Sequence, residues 1–248
     1  MELIAFAGPS LGAIERRDWP AVEFRPPAAC GDIARAVARG PRAIGLIDGL
    51  FETCASTWHK EILWGLSQGV AMIGGASLGA LRAAELAAFG MRGVGKIFDA
   101  YRTGVLEDDA EVAVLHGPEE TGYLCLTQAL VNVRAALRRA SDYGIIAREQ
   151  ELTITAAASA IFYKDRTWPL IFEHAASRLG GNAAVIAALS AWVTENPVDV
   201  KREDALQVLA ALSSADLRSP DLDRKFEFVD TSYFVDLRQR LGVTMPRA

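Results

Sequence analysis

Short apolar runs alternate with segments of helical periodicity over residues 1–90. The apolar runs are typical of strands buried in a parallel sheet, and apolar residues spaced by three and four are typical of helices packed on it. The pattern predicts strands at 3–7, 22–24, 43–47 and 70–73. It predicts helices at 31–38, at 57–68 with Trp58 and Ile62 inward, and from Leu78 onward. The fold class that follows is α/β, with an N-terminal parallel sheet flanked by helices.

Beyond residue 90 the pattern is mostly helical. An alternating stretch at 112–116 is typical of a strand. Helical spacing predicts helices at 123–139, 148–163, 168–179, 182–194 and 201–213. Leu124 and Leu137 face inward in the first of these. We expect an α/β core domain at 1–120 and a mostly α-helical C-terminal region at 121–248 packed on that core. The tail at 224–241 mixes aromatic and charged residues, and we expect it to pack on the core rather than to dock a partner.

The composition excludes several classes of protein. Hydrophobic residues make up 51% of the chain and charged residues 23%, which is ordinary for a globular protein. The net charge of −5 argues against a nucleic acid partner, and no apolar run reaches the roughly 20 residues of a membrane span. The run at 4–7 is too short for a signal peptide. Three cysteines without C-x-x-C spacing favour a reducing compartment, so we expect a cytoplasmic protein.

Ser77 lies in a glycine-rich turn between a predicted strand and a predicted helix. Gly74, Gly75 and Gly79 surround it. A serine at such an elbow lies near the free N–H groups and the positive end of the helix dipole, which suits a nucleophile that attacks a carbonyl. The alternative is that Ser77 only caps the helix.

Other reactive residues follow the predicted strands. The carboxyl ends of parallel strands meet at one edge of the sheet, so we expect Gly8, Ser10, Asp48 and Ser77 to lie together there. His59 follows Asp48 closely along the chain and has the side chain best suited to proton transfer near neutral pH. We therefore predict a triad of Ser77, His59 and Asp48, or alternatively a dyad in which Asp48 acts directly on Ser77.

Backbone N–H groups supply candidate oxyanion donors near the predicted nucleophile. The donors that we expect are those around Leu78 and in the loop from Gly8 to Ser10. Gly8 and Ser10 are therefore predicted to bind substrate.

Three basic residues are candidates for binding a carboxylate or thiocarboxylate. Arg82 follows the predicted elbow by about one helical turn, and its planar guanidinium can bind such a group at two points. It can equally form a surface pair with Glu85. Lys60 and Arg134 are weaker candidates, because such side chains are most often solvated.

The sequence predicts no metal and no cofactor. Asp108, Asp109, Glu111 and His116 offer oxygen and imidazole ligands for Mg²⁺ or Zn²⁺, but their spacing matches no known site. Cys54 could carry sulfur as a persulfide, although one cysteine is weak support. No Gly-x-x-x-x-Gly-Lys-Ser/Thr loop is present, so any use of ATP belongs to a partner.

Several ordered segments between residues 3 and 142 together carry a family resemblance. They include Phe6-Ala7-Gly8-Pro9-Ser10, Ile47-Asp48-Gly49, Trp58-His59-Lys60-Glu61-Ile62-Leu63, Gly75-Ala76-Ser77-Leu78-Gly79-Ala80-Leu81-Arg82-Ala83-Ala84-Glu85-Leu86 and Val131-Asn132-Val133-Arg134. These segments resemble the TfuA-like family, whose members accompany YcaO enzymes in converting backbone amides to thioamides. Leu78 stands where the family often has methionine, and Ala110 interrupts an acidic run. The elbow also resembles that of patatin-type hydrolases, in which an Asp-Gly aspartate is the base, but here Asp48 precedes the serine.

The resemblance implies an accessory role in thioamide formation, with a YcaO-type protein as partner. In its chemically concrete form, the protein hydrolyses the C-terminal thiocarboxylate of a ThiS-like sulfur-carrier protein and releases sulfide, with serine as the nucleophile. Two other functions stay open. One is a non-catalytic adaptor that links YcaO to its sulfur donor or peptide, and the other is a general serine esterase.

Overall fold

The computed structural model describes residues 2–52, 54–214, 216–217 and 226–243. The chain divides into two compact units. The sheet unit comprises residues 1–107 and 202–248, and the helical unit comprises residues 108–201. The predicted domain division after residue 120 stays a prediction.

The sheet unit contains one five-stranded parallel sheet. Its strands are β1 (Leu3–Phe6), β2 (Val22–Arg25), β3 (Ala43–Leu46), β4 (Ala71–Gly74) and β5 (Arg92–Gly93). They lie in the order β2-β1-β3-β4-β5, and every neighbouring pair is parallel. The register aligns Leu3 with Ala43, and Ala43 with Ala71. The predicted N-terminal parallel sheet is therefore confirmed.

Helices of the sheet unit follow the strands in turn. They are α1 (Ala13–Arg17), α2 (Asp32–Val37), α3 (His59–Ser67), α4 (Leu78–Leu86) and α5 (Lys96–Arg102), and α11 (Ser232–Leu241) follows near the C-terminus. A further helix, α10 (Val200–Leu212), belongs to the sheet unit from residue 202 onward.

The sheet packs against α10 through small residues. Val208, Leu209 and Leu212 of α10 share one buried cluster with Ile47 and Ile73. A Cβ atom at Gly45 would lie 2.6 Å from Leu212 Cδ1, and one at Gly75 would lie 2.7 Å from Val208 Cγ2. Because no larger side chain fits at these two positions, the glycines allow α10 to approach the sheet closely.

The helical unit is built from four helices before α10. They are α6 (Leu130–Asp142), α7 (Arg148–Ser159), α8 (Trp168–Arg178) and α9 (Ala183–Glu195). Their core includes Leu137, Ile154, Ile171 and Leu189, all fully buried. The mostly helical second half is confirmed, because the apolar periodicity identified these helices correctly.

Three predictions about local structure are wrong. The stretch at 112–116 forms no strand, since Val112 and Ala113 are both buried in succession and only a single bridge pairs His116 with Cys125. The helix predicted from residue 123 begins at Leu130, and Leu124 is 63% exposed because it precedes that helix in a loop. Trp58 precedes α3 instead of facing the core within it, and is 38% exposed.

The C-terminal helix packs on α3, as expected for the tail. Phe234 of α11 is fully buried, and its ring lies edge-on to that of Trp64 with centroids 5.8 Å apart. The first two tail residues, 224 and 225, lie outside the described residues. Within the described residues, no helix combines the length and apolar character that crossing a membrane requires.

Candidate functional site

The predicted elbow is present between β4 and α4. Ala76 has a φ of +67°, which is unusual for a residue with a side chain. Ser77 follows it as the N-cap residue, with φ −122° and ψ −124°. Among the described residues its hydroxyl accepts no capping hydrogen bond from α4. Ser77 thus occupies the N-cap position of α4, but its hydroxyl does not cap the helix.

Close packing fixes the elbow against the end of β3. A Cβ atom at Gly79 would lie 1.7 Å from the carbonyl oxygen of Leu46. The N–H groups of Ser77 and Gly79 both donate to the carbonyl oxygen of Ile47, at 3.3 and 3.2 Å. The N–H group of Leu78, between them, has no acceptor in the described part of the chain. This N–H therefore has no hydrogen bond to give up before it binds a ligand at Ser77, and both Ser77 and Leu78 are buried.

Asp48 binds the loop that follows β1. Its Oδ2 accepts hydrogen bonds from the N–H groups of Gly8 and Ser10, at 2.8 and 3.0 Å. Its Oδ1 accepts one from the hydroxyl of Ser10 at 2.7 Å. Asp48 and Ser10 are both buried. The predicted oxyanion donors of this loop are thus already bound to Asp48, and Leu78 supplies the remaining candidate.

The strand order places the loops that follow β1 and β3 where the sheet reverses its order. The order reverses between β1 and β3, whose following loops carry Ser10 and Asp48. In open α/β sheets, ligands bind outside the carboxyl ends of the strands at such a reversal. The loop with Ser77 follows β4, the next strand in the sheet. The sheet therefore has one edge that carries all four predicted residues, Gly8, Ser10, Asp48 and Ser77. Ligand binding is expected at this edge.

His59 has a different partner from the one predicted. Its Nε2 lies 2.8 Å from Oε2 of Glu85, which also accepts a hydrogen bond from Arg82 at 2.7 Å. Partial burial raises the pKa of Glu85, but the hydrogen bonds from His59 and Arg82 outweigh it and leave that pKa lowered. Ser77 and Glu85 lie about 12 Å apart along the axis of α4. Among the described residues, hydrogen bonds therefore do not join His59 to Ser77 or Asp48.

The predicted substrate-binding cations are bound within the protein. Arg82 also donates from Nε to the carbonyl of Thr57 at 3.2 Å. Lys60 Nζ donates to the carbonyl of Val229 at 2.6 Å and lies 4.7 Å from the ring centroid of Phe228. In the helical unit, Arg134 binds Glu111, with Nε and Nη2 at 3.0 and 2.7 Å from its two oxygens.

The acidic run of the helical unit has local partners. Asp108 caps a short turn by accepting the N–H of Ala110 at 2.8 Å. Glu111 is paired with Arg134, and His116 Nδ1 lies 2.7 Å from the carbonyl oxygen of Gly117. In the described ranges, no three His, Cys, Asp or Glu side chains are grouped as a metal site requires.

Sequence reasoning missed the buried carboxylates of Glu61 and Asp204. Glu61 accepts the N–H groups of Gly31, Trp58 and Ala34 at 2.9, 3.0 and 3.1 Å. Its burial outweighs these hydrogen bonds and raises its pKa. Glu61 is the third residue of α3 and accepts the N–H of its N-cap residue, Trp58, but tryptophan cannot complete a capping box, so the sequence carries no such signal there. Asp204 accepts the N–H groups of residues 96 and 97, and no local pattern distinguishes it.

The family model for TfuA-like proteins matches residues 48–167. Over these 120 residues the chain is similar to TfuA-like proteins. The match confirms the family resemblance and includes Asp48, His59 and Ser77. The family model begins later than the resemblance, because it leaves out residues 3–47. It also ends later, since it continues past residue 142 through α7, and it therefore includes more of the helical unit than the resemblance did. Similarity to the TfuA-like family over these residues supports an accessory role in the YcaO-associated pathway. None of the curated proteins compared with the chain matches it.

Proposed function

We propose that this protein serves YcaO-dependent peptide thioamidation by hydrolysing the C-terminal thiocarboxylate of a ThiS-like sulfur-carrier protein. The observation that carries the proposal is the elbow at Ser77. Its hydroxyl caps no helix among the described residues, and the N–H of Leu78 beside it has no acceptor there. A serine followed by a free N–H is the arrangement that acyl transfer requires.

The elbow accounts for both steps of the hydrolysis. Ser77 Oγ attacks the thiocarboxylate carbon and forms a C–O bond, while the N–H of Leu78 stabilises the negative oxygen. The C–S bond then breaks, and the sulfur leaves with the serine proton as hydrosulfide (HS⁻). Water next attacks the acyl-enzyme and breaks the C–O bond to Ser77, which regains one proton of the water. The carrier leaves as a carboxylate, and the second proton of the water passes to solvent. The net reaction consumes one water molecule for each sulfide released.

The proposal rests on Ser77 and Leu78. To act as the general base, His59 has to move away from Glu85, because the Glu85 carboxylate lies within hydrogen-bond distance of His59 Nε2 in this structure. Asp48 as the partner of His59 or Ser77 requires it to release Ser10. Those two roles, and substrate binding by Arg82, Lys60 and Arg134, stay predictions.

Sulfide release from a thiocarboxylated ThiS-like carrier tests the proposal directly. We expect the wild-type protein to release sulfide and Ser77→Ala to be slower by at least about 100-fold, because the nucleophile is lost. The matched control is Ser67→Ala, which removes an exposed hydroxyl from α3 that donates to the carbonyl of Trp64 and accepts from the side chain of the neighbouring Gln68. It should keep the wild-type rate.

Two other outcomes identify the alternative functions. If neither protein releases sulfide, and Ser77→Ala stimulates a YcaO-type partner as well as the wild type does, the protein is an adaptor and not a hydrolase. If the wild type cleaves p-nitrophenyl acetate but not the thiocarboxylated carrier, it is a general serine esterase.

A further inference from the structure

Two consecutive residues after β3 contact both loops that flank the candidate site. The carbonyl oxygen of Ile47 accepts the N–H groups of Ser77 and Gly79. The carboxylate of Asp48 accepts its hydrogen bonds from the loop after β1. The segment 47–48 therefore holds the β1 loop on one side and the elbow on the other.

Asp48 has both of its oxygens bound by that single loop. Three donors reach it, namely the N–H groups of Gly8 and Ser10 and the hydroxyl of Ser10, all at 3.0 Å or less. Hydrogen bonds to a carboxylate are stronger than those between neutral groups. The hydroxyl bond is the shortest of the three, so Ser10 is the side chain that fixes Oδ1 of Asp48.

The opposite side of the β1 loop is held by a cation. Arg16 Nη2 donates to the carbonyl of Ala7 at 3.1 Å, and lies 3.4 Å from those of Gly8 and Leu11. The N–H groups of the loop thus face Asp48 while its carbonyl groups face Arg16. A loop bound on both sides has little conformational freedom, which is the condition for a preorganised site.

We infer that Ser10 is a positioning residue for the elbow, acting through Asp48, and that Asp48 holds the two loops rather than accepting the proton of Ser77. The inference rests on the proposed function, because position matters only if Ser77 reacts. Without the Ser10 hydroxyl, Oδ1 of Asp48 loses the hydrogen bond that Ser10 donates, while Oδ2 keeps its hydrogen bonds from the N–H groups of Gly8 and Ser10. Segment 47–48 then holds the β1 loop less firmly, and Ser77 is presented in more than one position.

Steady-state sulfide release by four proteins tests this role. They are the wild type, Ser10→Ala, Asp48→Asn and the double variant, each with a thiocarboxylated ThiS-like carrier. We expect Ser10→Ala to lower kcat roughly 10- to 100-fold and to change KM by less than about twofold, as for a displaced reacting group. The double variant should be no slower than Asp48→Asn alone, because both substitutions break the same contact. Ser10→Thr keeps the hydroxyl and should restore most of kcat.

The pH profile of kcat/KM separates positioning from proton transfer. If Asp48 holds the loops, Asp48→Asn should be slower at every pH and keep the acidic limb of the wild-type profile. Loss of that limb in Asp48→Asn would show that Asp48 is the base and would overturn the inference. Ser67→Ala again serves as the control and should match the wild type throughout.

The remaining outcomes distinguish the inference from the function on which it rests. Wild-type kinetics in Ser10→Ala, or independent losses that multiply in the double variant, would overturn the positioning role and leave the hydrolase intact. A wild-type protein that releases no sulfide would instead contradict the proposed function, and the positioning role would fall with it.

Discussion

Single residues in this protein are defined by partners that are distant in the chain. Asp48 was placed at the correct edge of the sheet from sequence, yet its partner is Ser10 rather than His59. His59 in turn pairs with Glu85. The type of residue and the strand that it follows can be predicted from local patterns. The choice among several possible donors and acceptors depends on distances of a few tenths of an ångström.

Glu61 provides a prediction at this scale. Its pKa in the folded protein is raised above the ordinary value of 4.5, because burial outweighs three backbone hydrogen bonds. The unfolded chain therefore loses this proton at a lower pH than the folded protein does. The stability that Glu61 contributes is fully present below pH 4.5 and is lost as the pH rises through the folded pKa.

Urea unfolding of the wild type and Glu61→Gln across this pH range measures that effect. The difference in unfolding free energy, wild type minus variant, should fall as the pH rises above 4.5. The exposed control Glu173→Gln should show no such trend. A difference that grows with pH would mean that hydrogen bonding outweighs burial and lowers the pKa of Glu61.

At the scale of elements, the apolar periodicity predicted most of the helices and strands. Glycine residues determine how closely the helices approach the sheet. The elbow was predicted because glycines, a serine and a helical repeat follow one apolar run. How closely the elbow approaches β3 was not predicted, because that distance depends on contact between Gly79 and the carbonyl of Leu46. The stretch at 112–116 failed for a related reason. Val112 and Ala113 are buried at successive positions and Leu115 is 39% exposed, so the two faces of the stretch do not alternate as those of a strand do.

Gly79→Ala should strongly destabilise the sheet unit. The added Cβ would meet backbone atoms of Leu46, which cannot rotate away as a flexible side chain can. We expect a loss of about 3 kcal/mol, the upper part of the range for overpacking, measured by urea unfolding.

Gly69→Ala is the matched comparison for that measurement. Gly69 has a φ of +79° and no atom within 4 Å of an added Cβ, so only backbone strain of about 1 kcal/mol opposes alanine. Equal losses in the two variants would show that contact with β3 is not the cause.

At the scale of the whole molecule, the chain returns to the sheet unit after the helical unit. Residues 202–212 of α10 supply Val208, Leu209 and Leu212 to the cluster that covers the sheet. Sequence reasoning gave α10 nearly its correct bounds but grouped it with the preceding helices. Helical periodicity identifies an apolar face, and it carries no information about which surface that face will cover.

Truncated chains test whether α10 is needed to cover the sheet. A chain ending at residue 201 lacks all of the α10 residues in the sheet cluster. We expect it to show no cooperative thermal unfolding, because the apolar face of the sheet is left uncovered. A chain ending at residue 217 keeps α10 and should retain a cooperative transition at a lower Tm, since it lacks the contact of Phe234 with Trp64. Similar cooperative transitions in both chains would contradict this account.

The sequence by itself determined the alternation of strands and helices, the resemblance to the TfuA-like family and the position of Ser77 at an elbow. All three depend on residues close together in the chain, where periodicity and glycine spacing are visible. Only the tertiary structure decided that Asp48 binds Ser10, that His59 binds Glu85 and that α10 covers the sheet. Those contacts join residues far apart in sequence, and a buried polar group bonds the partner that packing brings within reach.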